Sequence, residues 1–316
     1  MDVVTLGETM ILFTPETTGP MRYASQFSRK IAGAESNFAI GLSRLGHQAG
    51  WISRVGDDEF GKAMVSFIRG EGVDTSRVIF DQTAPTGLYF KEIRRPNDFR
   101  VHYYRKGSAA SKLTKEDLDE DYIKKAKFIH ISGITPALSD SCEEAVFAAI
   151  EIAKKNGVTV VFDPNLRRKL WSEEKARTTL LKIAGLADIV LPGVEEGEFM
   201  FGETDPAKLG ELFLSHGAKI VVLKVGAKGA HYFTQDEQQL VSGFPVENVI
   251  DPVGAGDGFA AGFISGLLDG LNLHDAVKRG NAVGAFVTTV SGDVEGLPDR
   301  IELEAFFNAS AQDVSR

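Results

Sequence analysis

Residues 251–263 read DPVGAGDGFAAGF, and the chain runs on as ISGLLDGL (264–271) with an apolar residue every three or four steps. A glycine turn here becomes a helix with an aspartate, Asp257, at its mouth. The first turn of a helix has N–H groups without intrahelical partners and the positive end of the helix dipole. Gly254, Ala255 and Gly256 are small enough to let a ligand approach that backbone, so the stretch predicts an anion hole opening onto a helix that starts near Asp257. In open α/β sheets such helix mouths lie beyond the carboxyl ends of the strands. The rest of the chain has the alternation that such a sheet requires. Short β-branched runs at 3–7, 51–56, 128–133, 159–165, 188–193 and 220–226 read as buried strands. Between them SNFAIGLSRLG, SDSCEEAVFAAIEIAKKNG and DPAKLGELFLSHG keep a helical period and end on glycine. A mainly parallel sheet covered by helices on both faces follows.

Two segments break this pattern, residues 12–32 and 86–105. The second, TGLYFKEIRRPNDFRVHYYR, places two alternating aromatic-rich stretches around a polar turn at Pro96 and Asn97, which is a hairpin. With no helix nearby to cover it, this side sheet is expected to act as a lid on one domain spanning 1–316, or as a dimer contact. The charge run TKEDLDEDYIKKAK (114–127) mixes signs and reads as a solvated helix face.

Of the 316 residues, 43% are hydrophobic and 25% charged, enough for one large core. A net charge of -9 opposes nucleic acid and anionic membrane as partners. The opening MDVVTLGETMILF lacks the basic start and cleavage site of a signal peptide, so a cytoplasmic location is the expectation. The single cysteine, Cys142, excludes an internal disulfide, and the scattered histidines show no H-E-x-x-H zinc pattern. A nicotinamide oxidoreductase is disfavoured too, because the first strand leads into GETMILF and not into G-x-G-x-x-G.

An aspartate at the edge of an anion hole repels the phosphate it neighbours unless it has a task. Transfer of a phosphoryl group calls for donors around the spreading charge and an acceptor for the attacking hydroxyl's proton. Asp257 is either that acceptor or a helix cap.

Two stretches carry a resemblance over nearly the full length. DPVGAGDGFAAGF matches the D-T-x-G-A-G-D signature of the PfkB or ribokinase family of sugar kinases, with Pro252 at the Thr position, and AGAESNFAIGLSRLG (32–46) matches the family's glycine-rich N-terminal signature. The resemblance implies a ribokinase-like three-layer α/β/α domain with a mainly parallel central sheet and a small β-sheet lid. It further implies ATP as donor, Mg2+, a monovalent cation as a possible activator, Asp257 as base and Gly254, Ala255 and Gly256 as the anion hole. By the same resemblance Asn165, Lys224, Gly226 and Gly229 fall on nucleotide positions, the last two within VGAKG (225–229), and Asn281 falls on the helix flanking the adenine unless it is a surface amide. The family's N-x-x-E motif maps onto PGVEEGEF with Gly193 in place of Asn, leaving Glu196 as an indirect magnesium contact or a solvated glutamate. Asp251 either orders a cation network or caps the helix.

Arginines sharpen the substrate. Arg105 leaves the hairpin in YYRKGSAAS and Arg167 ends DPNLR; both are expected to face the site, and Arg offers a planar fork for a carboxylate. Each could instead serve phosphates or a structural ion pair. With GETMILFTPE, PTGLYFKE and FDPNLR they resemble the family's 2-keto-3-deoxygluconate kinase branch. This implies phosphorylation of a sugar acid, 2-dehydro-3-deoxy-D-gluconate, on its 6-hydroxyl, with Gly33, Asn37, Tyr89, Tyr103, Arg105, Arg167, Asp257 and Asp293 at substrate positions. Tyr89 and Tyr103 also fit as lid core, and Asp293 as a turn. A fructokinase or 2-ketogluconate kinase is the alternative within the family, and a silent sugar-binding protein the alternative outside catalysis. A homo-oligomer is expected from the aromatic lid.

Overall fold

A computed structural model describes residues 1–95 and 98–313. Thirteen strands form in chain order: β1 Val3–Leu6, β2 Met10–Pro15, β3 Phe27–Ala32, β4 Ala49–Gly56, β5 Asp74–Asp81, β6 Leu88–Arg95, β7 Asp98–Tyr104, β8 Phe128–Ser132, β9 Thr159–Asp163, β10 Ile189–Val190, β11 Ile220–Lys224, β12 Gly229–Phe233 and β13 Gln238–Ser242. Nine of them make the main sheet in the order β13-β12-β11-β10-β9-β8-β1-β4-β5. From β5 to β11 every pairing is parallel, whereas β12 and β13 return antiparallel at one edge.

Alternation along each strand sends side chains to two cores. In β9, Val161 packs with the helices Ala34–Arg44, Ala255–Leu268 and Leu273–Val287, while Val160 and Phe162 pack with Asp140–Lys155 and Glu173–Ala184 on the other face. The two helical layers and the sheet are the three-layer architecture that the alternating pattern implies. Chain order runs outward from β1 in both directions, so the switch point lies between β1 and β8, where ligand crevices open.

The two excursions between main-sheet strands pair with each other. Strands β3, β2, β6 and β7 lie side by side in that order, with β2 parallel to β6 and the outer pairs antiparallel. The turn expected at Pro96 and Asn97 lies outside the described residues. Strand β7 is an edge, and Phe99, Tyr103 and Tyr104 on it are exposed.

Several expectations change. The run 188–193 yields only two strand residues, because Pro192 cannot donate to a ladder and Gly193 already caps the helix Val194–Phe201. Residues 114–127 form no continuous helix: Thr114 caps one 3₁₀ turn, Asp119 starts a helix of four residues, and Tyr122, Ile123 and Ala126 are buried. Strand β5 and the β12–β13 hairpin are additions. Among the described residues no helix is long and apolar enough to cross a membrane.

Candidate active site

Three strands of the main sheet deliver side chains at their carboxyl ends: Glu8 after β1, Asp163 and Asn165 at the end of β9, and Lys224 closing β11. Together with the small sheet and the helix Ala255–Leu268 they enclose a cavity of about 500 Å³. Gly33, Asn37, Tyr89, Tyr103, Arg105, Arg167, Asp257 and Asp293 all line it, and so do Asn165, Glu196, Lys224, Gly254 and Gly256. A second cavity, about 620 Å³ and more apolar, shares Lys224 and Gly256 with the first and adds Gly226, Gly229, Ala255 and Asn281. The sequence-derived residues therefore converge on two adjoining chambers, one rich in charge and the other lined by Phe244, Val246, Val249 and Phe259.

The helix behind the opening motif begins at Ala255, two residues earlier than expected, with Gly254 as N-cap at φ 81°. An L side chain is strained at that angle, and a Cβ there would meet the Asp293 carbonyl oxygen at 3.0 Å. Asp257 is therefore in the first helical turn and is not the cap. Its oxygens face two amides: Asn37 Nδ2 donates to Oδ2 at 2.8 Å and Asn165 Nδ2 to Oδ1 at 3.4 Å. The Ala255 N–H turns back to the Pro252 carbonyl at 3.4 Å, which leaves the first-turn N–H groups of Gly256 and Asp257 for a ligand. Gly254→Ala should cost about 1–2 kcal/mol in backbone strain, and a displaced helix mouth should lower turnover at least about tenfold. Thermal melting and kcat measured together check both.

Asn165 is the one residue other than glycine at positive φ (34°) among the described residues. Asp163 Oδ1 accepts its N–H at 3.2 Å, and the bend aims its amide at Asp257. A strained backbone held this way marks a position that the surroundings over-determine.

Charge is tightly matched around this floor. Lys224 Nζ lies 2.8 Å from Asp163 Oδ2 and 3.8 Å from where a Cβ on Gly256 would sit, so its ammonium and the helix mouth face the same space. Burial opposes the Lys224 charge, but Asp163, Glu196 and Asp257 outweigh it and raise its pKa. Burial, with the charges of Asp163 and Asp293 and against the Asn37 hydrogen bond and Arg167, pushes Asp257 up to about 8. Burial likewise lifts Asp293 to about 6, and Asn37 Nδ2 reaches it at 3.4 Å. Asn37 thus bridges the two acids.

The other expected residues are placed as follows. Gly33 caps the helix Ala34–Arg44, and a Cβ there would lie 2.6 Å from the Glu8 carbonyl oxygen, so only glycine lets the segments approach. Tyr89 is buried and Tyr103 half-exposed, with ring centroids 5.5 Å apart. Arg167 is exposed, and its guanidinium makes no hydrogen bond or ion pair among the described residues. Arg105 is instead buried in an ion pair with Glu8, the structural pairing weighed as its alternative, and it also lines the cavity. Asn281 is no surface amide: it is buried and donates to the Val241 and Ser242 carbonyls at 3.0 and 3.2 Å, tying β13 to its helix. Glu196 is not free in solvent. It accepts from the Leu166 and Gly193 N–H groups at 2.9 and 2.7 Å, and burial raises its pKa. Asp251 is not the helix cap: Lys91 on β6 holds its Oδ2 at 2.6 Å, and its Oδ1 accepts the Val253 N–H at 3.2 Å ahead of the helix.

The sequence profile of the pfkB family carbohydrate kinases matches residues 1–300. This chain belongs to the pfkB family of carbohydrate kinases. Among curated relatives, a 2-dehydro-3-deoxygluconokinase of Bacillus subtilis (strain 168) is 44% identical over 98% of this chain and 96% of its own. One of the same name from Thermoproteus tenax is 37% identical over 98% and 95%. A solved putative ribokinase II from E. coli, in complex with ATP and Mg2+, superposes with a TM-score of 0.91 at 31% identity, covering 98% of this chain and 99% of that one. Nucleotide and metal use are thus features of this pfkB kinase's structural neighbours.

Sequence reasoning missed Glu8, Lys91 and Asp163 in this pfkB kinase. Each acts by pairing with an oppositely charged residue distant in the chain, Arg105, Asp251 and Lys224 respectively, and the only local signal was Asp163 at the end of a buried strand. Glu35 was also missed. Buried beneath the site, it accepts from Ser132 Oγ at 2.5 Å and Thr135 Oγ1 at 2.9 Å, anchoring the turn that presents Asn37.

Proposed function

We propose that this kinase transfers the γ-phosphoryl group of ATP to the 6-hydroxyl of 2-dehydro-3-deoxy-D-gluconate, giving 2-dehydro-3-deoxy-6-phospho-D-gluconate. The observation that carries the chemistry is Asp257, a raised-pKa carboxylate oriented by two amides at the mouth of a helix and facing a cavity that arginines line. The names of the two full-length relatives support the substrate.

In this reading the sugar acid lies between the small sheet and Asn37, its carboxylate and keto end toward Arg105, Arg167 and the tyrosines. The apolar chamber takes the adenine, and the triphosphate runs past Gly226 and Lys224 to the helix mouth. Asp257 accepts the 6-hydroxyl proton, the hydroxyl oxygen bonds to the γ-phosphorus, the bond to the β,γ-bridging oxygen breaks, and ADP leaves with that oxygen. The N–H groups of Gly256 and Asp257 and the Lys224 ammonium meet the charge spread over the transferring group. The small sheet limits water at the reacting atoms.

Among the described residues no cluster of three or more His, Cys, Asp or Glu side chains could hold a metal alone. The excess of carboxylate around Lys224 nevertheless suits a hard cation that arrives with phosphate ligands and keeps waters. Glu196 and Asp163 would hold Mg2+, which when bound offsets triphosphate charge. Self-association through the exposed β7 edge belongs to the same reading, and sedimentation of the purified protein tests it.

The test is the product. Proton–phosphorus correlation of the reaction mixture should show a phosphomonoester coupled to the two C6 protons. Inorganic phosphate alone, or an ester on another carbon, would refute the assignment.

A further inference from the structure

We propose that Glu8 is a positioning residue for the sugar acid: it fixes the Arg105 guanidinium, and with it the direction from which the carboxylate docks. The proposal rests on the sugar-acid reading above and deepens it.

Glu8 follows β1 at the point where the chain leaves the main sheet for β2. Arg105 and Ser108 follow β7, where the chain comes back. Although 97 residues apart, Glu8 and Arg105 meet through one oxygen: Oε2 accepts from Nε at 2.6 Å and pairs with Nη2 at 2.5 Å. Oε1 accepts from Ser108 Oγ at 2.6 Å. Gly87, entering β6, has no room for a side chain, since a Cβ would lie 2.6 Å from Glu8 Oε1. Three crossings between the sheets therefore meet at one carboxylate.

Both members are withdrawn from water, with side-chain exposures of 0% for Glu8 and 9% for Arg105. A buried ion pair is a poor device for stability alone, because an apolar pair of similar shape does as well. What it provides is a fixed fork. One edge of the guanidinium is committed to Glu8, so Nη1 is left for a ligand in the cavity that Arg105 lines. The Tyr103 ring, 5.5 Å from the guanidinium carbon, backs the same group. A side chain already ordered loses little freedom when the carboxylate binds. Glu8 also neutralises Arg105 before substrate arrives, so Arg105 contributes direction while unpaired Arg167 contributes charge.

The test is steady-state kinetics with the sugar acid and with ATP. Glu8→Ala should raise the KM for the sugar acid about tenfold or more, with kcat and the KM for ATP within about twofold. Glu8→Gln keeps an acceptor for Arg105 and a polar contact for Ser108, and should return that KM to within about threefold of wild type. In an Arg105→Ala background, Glu8→Ala should change the sugar KM no further, because its effect passes through Arg105. Should Glu8→Ala fail to fold, Glu8→Asp, one methylene too short to bridge Arg105 and Ser108, carries the same expectation. An unchanged sugar KM, or an equal rise with and without Arg105, overturns the proposal. A wild-type enzyme that ignores the sugar acid overturns the underlying reading before any variant is made.

Discussion

Asp257→Asn lowers kcat by about 10²–10⁴-fold, the range for losing a general base, while the fold persists and its melting temperature rises. Both effects follow from one environment. The carboxyl is held neutral up to about pH 8 mainly by burial, with Asp163 and Asp293 adding to it. As base it must first lose that proton, so kcat/KM for the sugar should climb with pH through about 8 and level off above. Its folded pKa lies above the unfolded value of 3.8, so the stability this residue allows is fully present below about pH 4 and is lost as pH rises through about 8. Asparagine cannot ionise and escapes that loss. The melting-temperature gap between variant and wild type should therefore open above pH 4 and stop growing beyond pH 8. Near-normal turnover in the variant would remove Asp257 from the chemistry.

The second large effect concerns Lys224, which lines both chambers and stands at the helix mouth. Lys224→Met keeps the length and apolar stem but leaves Asp163 and Glu196 facing the triphosphate without a counter-charge. A loss of about 10²–10³-fold in kcat/KM for ATP is expected, comparable to losing a donor to a developing anion, with a smaller change in sugar KM. The two constants, measured separately with the other substrate saturating, check this. An effect confined to the sugar would place the ammonium on the wrong ligand.

The helix mouth at 254–257 was legible because glycine, dipole and acid are local features that no distant residue needs to complete. The strands at the sheet's centre were legible for a similar reason: buried on both faces, they are continuous β-branched runs. Strand β5 was not, since DTSRVIFD at the edge mixes polar and apolar residues with mixed burial. The β12–β13 hairpin did carry a signal in GAHYF and QQLVS around a polar turn, but it is short and one strand is largely exposed. The cavity's cation partners lay beyond local pattern altogether. Glu8 with Arg105, Lys91 with Asp251 and Lys224 with Asp163 are pairs made by topology across 97, 160 and 61 residues. Resemblance supplied roles for Arg105 and Lys224, yet it could not show that each already holds a carboxylate, and that fact is what leaves Arg167 as the uncommitted charge.

The account stands most directly on substrate choice. ADP release should be measured with purified protein, ATP and magnesium, comparing 2-dehydro-3-deoxygluconate with fructose, ribose and 2-ketogluconate at equal concentration. A kcat/KM for the keto-deoxy acid at least about tenfold above those for fructose and ribose is the predicted result, the discrimination expected when a site built for a carboxylate is left unpaired. Preference for fructose or ribose would contradict it and return both arginines to phosphate or structural duty.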